Sequence, residues 1–131
     1  LNLYKGILLM TTTAATMVSA SSHAETRMNA AQHDALMTGN TIYLEEPNSG
    51  GEIVLWYGAD GKAMARLPSS SMLNGTWSIK EDVSCIVWSY SPKDSCSVLV
   101  KRETGMVLLE VETDRLLGTV QRIVPGNAEM L

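Results

Sequence analysis

From Thr41 onward the apolar residues recur at every second position, in short runs separated by clusters of glycine, proline, asparagine and aspartate. That alternation is the pattern of half-buried strands. "TIYLEE" (41–46) stops at Pro47-Asn48-Ser49-Gly50-Gly51, and "EIVLWY" (52–57) stops at "GADG", whose Asp60-Gly61 is a tight hairpin turn. "KAMARL" (62–67) sets Ala63, Ala65 and Leu67 against Lys62, Met64 and Arg66, and "PSSSMLN" (68–74) reads as a longer loop. "GTWSIK" (75–80), "VSCIVW" (83–88), "CSVLVK" (96–101), "MVLLEVE" (106–112) and "GTVQRIV" (118–124) complete about eight predicted strands.

Ahead of them, "MNAAQHDALM" (28–37) has a helical pattern, with Asn29 placed to cap its start and Gly39 to end it. Ala31, Ala35 and Leu36 would share its packed face, and His33 with Asp34 would lie on its exposed one. No strand–helix–strand alternation follows, so the predicted fold is all-β. It is an antiparallel meander, a small calycin-like barrel with one short N-terminal helix. Closure is favoured because an open sheet would leave two unpaired edges, and a two-sheet sandwich is the alternative. "EIVLWY" and "MVLLEV" are apolar on both faces, which requires cover on both. The helix is the first candidate for that cover, ahead of a ligand or a homodimer partner.

The first residues change the picture of where the chain works. Lys5 precedes an uncharged, mostly apolar run from Gly6 to Val18, and small residues lead to Ala24. This is the layout of a secretory signal peptide cut after Ala24. The run is well short of the roughly 20 apolar residues that span a bilayer, so no stable membrane anchor is expected. Residues 25–131 are then a single β-rich domain of 107 residues, in a periplasmic or secreted setting. Loss of Lys5 takes the net charge from −4 to −5. Dispersed acidic charge is a poor match for a phosphate backbone, and nucleic acid is not an expected partner.

Cys85 and Cys96 are the only cysteines. Placed opposite each other, they centre a hairpin between Tyr90 and Ser91, with Pro92 in the turn. A disulfide there would stabilise the domain by roughly 3 kcal/mol on a chain-entropy argument, and an exported protein meets the oxidising conditions it needs. With His33 as the one histidine after Ala24, the pair cannot complete a four-ligand zinc site, and no metal or other cofactor is implied. No serine-hydrolase elbow, zinc-protease or P-loop motif occurs. The carboxylate pairs Glu45-Glu46, Glu81-Asp82 and Glu110/Glu112 sit at turns or on one strand face, where solvated charge is ordinary. No catalytic residue is assigned and the chain is not expected to be an enzyme.

What remains is aromatic. Trp56, Trp77 and Trp88 fall on three different predicted strands, and Tyr90 crowns the pinned turn. Tryptophans in a small barrel usually belong to the core; a barrel opening lined by them would instead take a small apolar ligand. Two further readings are a protein-interaction or inhibitor domain presenting loop 89–93, and an envelope structural or stress protein. "LMTGNT" (36–41), "YGADG" (57–61), "GTWSI" (75–79), the spaced cysteines and the terminal "GNAEML" (126–131) occur in an order that resembles a set of short exported alphaproteobacterial proteins catalogued as a domain of unknown function. Ala128 stands where that set has proline, and Met130 where it has glycine. The resemblance implies an exported β-rich fold over residues ~30–131 and brings no catalytic residue with it.

Overall fold

A computed structural model describes residues 13–15 and 25–131. The expected cut after Ala24 lies outside the described residues. In chain order the elements are β1 (Thr26–Arg27), α1 (Ala30–Met37), β2 (Asn40–Glu45), β3 (Glu52–Tyr57), β4 (Lys62–Arg66), β5 (Met72–Lys80), β6 (Val83–Trp88), β7 (Asp94–Arg102), β8 (Gly105–Glu110) and β9 (Leu116–Pro125). Each strand from β2 to β9 pairs antiparallel with the next, and β9 returns to β2. The result is a closed eight-stranded barrel, which leaves no long edge to pair with another chain.

Alternation along the strands sorts the residues as their pattern dictates. Ile42 and Leu44, Leu55 and Tyr57, Ala63 and Ala65, Ile86, Leu99 and Leu108 form the inner cluster. Small residues let the wall close: a Cβ on Gly75 would stand 2.3 Å from the Val87 carbonyl oxygen, so only glycine permits β5 to approach β6 there. The strand β5 begins at Met72, inside the stretch expected to be loop, because Met72–Asn74 pair with β4. The two-residue β1 also escapes the alternation pattern. It pairs with Val100 and Lys101 of β7, beyond Ser97 where the ladder with β6 ends.

The helix closes one end of the barrel, packing against β2, β5 and β6. Asn29 accepts a hydrogen bond from the Gln32 amide while Gln32 accepts one from the Asn29 amide, a reciprocal capping box. Gly39, at φ 73°, turns the chain from helix to β2. The packed face differs from the expected one. His33 and Met37 are fully buried, whereas Ala31 and Ala35 are exposed. Polar His33 is drawn inward because it completes hydrogen bonds at the gap between β6 and β1: its Nδ1 meets the Asn29 carbonyl oxygen at 2.9 Å, and Leu99 donates its amide to Nε2 at 3.0 Å.

Cover for the outer face of β3 comes from the C-terminal tail rather than from α1. Val54 is fully buried, in register with Tyr43 on one side and Arg66 on the other, and both of these residues reach Glu129. Thr41 donates its hydroxyl to the Gly126 carbonyl and accepts from the Ala128 amide, and the Arg122 guanidinium lies 3.6 Å from the Tyr43 ring centre. Val98, Val100, Val107 and Leu109 form a second buried cluster on the outer face of β7 and β8.

Candidate functional site

With α1 filling one end, the other end is bounded by the turns after β2, β4, β6 and β8. A cavity of about 430 Å³ opens there, lined by Leu44, Ile53, Leu55, Leu73, Ile86 and Leu108, among other residues. Its volume falls within the usual range for small-molecule sites. The wall is aliphatic because inward positions of seven strands, all but β7, carry leucine, isoleucine or alanine. The polar exceptions are few. Ser95 and Ser97 lie along β7, Tyr57 lies toward the plugged end, and Arg115 stands at the rim. Arg115 is matched by Glu110 at 3.0 Å, and that guanidinium, followed by the Thr113 hydroxyl, holds the Glu110 carboxyl below the usual carboxylate range.

The four aromatic residues singled out in the sequence divide by position. Trp88 and Tyr90 line the cavity at its opening. Trp77 faces inward nearer the plug, its ring edge-on to Tyr57 at 5.1 Å and its Nε1–H donated to the Gly58 carbonyl, both core-building contacts. Trp56 lies on the outer face, in register with Met64 and Thr41. Sequence reading alone missed the aliphatic lining, Tyr57 and the serines. Leu55 and Tyr57 share one face of the predicted strand 52–57, the face that turns inward in the closed barrel, whereas Ser95 falls just outside the predicted strand 96–101.

Cys85 and Cys96 are directly opposed on β6 and β7, with Cα atoms 4.0 Å apart, and form a disulfide. They pin the hairpin that carries Tyr90, which is 68% exposed. Depressions flank this hairpin on both sides, one lined by Met64, Asn74 and Thr76, the other by Asp94, Glu110 and Glu112; Trp88, Tyr90 and Ser91 contribute to both. Asp94 gathers with the two cysteine sulfurs, but sulfurs joined to each other offer no thiolate to a metal.

The acidic pairs have local partners. Glu46 accepts from Ser49 and Asn48 within its turn, and the Ser49 contacts hold its carboxyl low. Asp82 accepts the Ala30 amide at the start of α1, and Glu112 faces Lys93 at 3.5 Å. Among the described residues no helix is long and apolar enough to cross a membrane. Comparison with protein-family models, curated proteins and solved structures finds no match for this chain.

Proposed function

We propose that this protein is a non-catalytic binding module that holds a small apolar molecule inside its barrel. The observation that carries the reading is the one-ended cavity, plugged by α1 and open beside Trp88 and Tyr90, with an aliphatic wall. Burial of apolar ligand surface against such a wall contributes roughly 25 cal/mol per Å² before the cost of immobilisation. The disulfide and the signal-like first residues support an exported, periplasmic or secreted site of action, as does the resemblance to exported alphaproteobacterial proteins.

An uncharged fluorescent naphthylamine tests this reading. Saturable one-site binding is expected, with quenching of tryptophan emission. Ser95→Trp, an exposed rim position that lines the cavity, should block the opening and weaken binding at least about tenfold, the loss of roughly 1.4 kcal/mol. Absence of saturable binding, or equal binding by Ser95→Trp, would count against the cavity.

One observation favours a second reading, a protein partner docked on the 89–93 hairpin: Tyr90 is held exposed between two depressions on a covalently pinned turn. Preorganisation of this kind lowers the ordering cost of association. Tyr90→Ala should then abolish partner capture while changing stability by less than about 0.5 kcal/mol; a partner retained by that variant rules the hairpin out.

A further inference from the structure

Among the described lining residues of the cavity, Arg115 alone carries a charge; the rest are aliphatic, aromatic or serine. The turn between β8 and β9 holds it at the mouth. Glu110 donates its amide to the Arg115 carbonyl at 2.8 Å, and Arg115 donates its own amide to the Thr113 hydroxyl at 3.3 Å. Asp114 between them adopts the left-handed conformation that aspartate tolerates, and its carboxylate is tied to Arg27 at 3.0 Å.

Glu110 takes up only part of the guanidinium. It accepts the Nε–H at 3.0 Å, and no described residue accepts from the Nη groups. Those Nη groups keep their N–H donors in a rigid planar fork, the geometry that matches a carboxylate. Glu110 itself is absent from the described lining, so the charge turned toward a ligand is positive.

The rest of the site narrows what that charge can receive. Deeper in, Leu44, Leu55, Ile86 and Leu108 offer no cation, so a carboxylate carried inward would be buried unpaired at high cost. At the mouth the same group meets the fork while its chain lies against the aliphatic wall. Glu110 limits how much charge the head can carry. Arg115, then Thr113, hold its carboxyl low and ionised, so a doubly charged head would face one cation beside one anion. Ser97, opposite Glu110 in the ladder, and Ser95 add hydroxyl donors on the β7 side of the lining.

Resting on the cavity reading above, we infer that the ligand is an elongated apolar chain ending in a single carboxylate, bound tail inward with its head on the Nη edge of Arg115. The Arg115 side chain is 70% exposed, so solvent and salt screen the contact and its effect on affinity is modest.

Four probes of equal chain length separate the possibilities: octanoate, octanol, octylamine and octyl phosphate, each competed against the bound naphthylamine at about pH 7. Octanoate is expected to bind about fivefold more tightly than octanol at low salt, the upper end for an exposed charge pair. That advantage should shrink in about 0.5 M sodium chloride. Arg115→Gln should bring octanoate down to octanol. Glu110→Gln, which keeps an acceptor for Nε but removes the competing charge, should widen the advantage. Equal binding of octanoate and octanol, or an octanoate preference that survives Arg115→Gln, would overturn the carboxylate assignment and leave the cavity standing. Octylamine binding tightest would overturn it by making Glu110 the deciding charge. Octyl phosphate binding tightest would overturn it in favour of a doubly charged head. If none of the four displaces the naphthylamine, or the naphthylamine itself does not bind, the cavity reading falls.

Discussion

His33 shows how one side chain can be misread from its neighbours and still be decisive. Next to Asp34 on a short helix it looks like part of a polar surface, yet it is the residue that fastens the plug to the wall. Its ring donates to Asn29 and accepts from Leu99, so only the neutral form fits. Burial, the largest influence, lowers its pKa below the ordinary 6.5; the Asn29 hydrogen bond and the Asp82 charge only partly offset this. The unfolded chain therefore takes up a proton that the folded chain refuses. Stability should be flat above about pH 6.5, fall as pH drops below that value, and level off beneath the folded pKa. Thermal unfolding followed between about pH 7 and 5 should show this slope, and His33→Gln should lose it along with some stability. A wild-type profile with no slope in that window would show that the imidazole tolerates its charge in place. Glu46, Glu110 and Glu129, whose carboxyls are all held low, lose their contributions only at more acidic pH and do not confuse the test.

At the scale of elements, the hairpin of β6 and β7 was the most legible part of the sequence. Two cysteines spaced about a proline-containing turn fix the register as firmly as any hydrophobic pattern, and Cys85 does oppose Cys96. Replacing both with serine should destabilise the domain by roughly 3 kcal/mol, seen as a lower denaturation midpoint with the fold retained. A loss well under about 1 kcal/mol would mean that the strand pairing alone holds the hairpin. Most strands could be placed from alternation alone, and the end of α1 from Gly39. What could not be placed depends on contacts far apart in the chain. β1 is too short to show a period, and Met72–Asn74 become strand only because β4 lies alongside. The tail 126–131 has no periodicity at all. Its role, covering Val54 through Glu129 and Thr41, emerges only when β2, β3 and β4 are side by side.

The whole molecule is a closed barrel with unlike ends, one filled by a capped helix and one open. Closure could be argued in advance from the need to hide edges, and the inward set of residues follows from closure. The cavity does not follow, since a barrel of eight strands can equally be filled by its own side chains. Here Ala65 keeps the β4 stretch of the wall shallow, so the aliphatic wall near the opening encloses space. The aromatic residues gave only half the site: Trp88 and Tyr90 stand at the opening, while Trp77 is spent on core contacts with Tyr57 and Gly58. The most direct test of a ligand-holding barrel is methyl NMR of the protein titrated with the uncharged naphthylamine. The expected result is saturable shifts of the Leu55, Leu73, Ile86 and Leu108 methyls, with the outer Val98, Val100 and Val107 methyls unmoved. Shifts confined to the outer cluster or to the 89–93 hairpin, with the inner methyls unchanged, would contradict it.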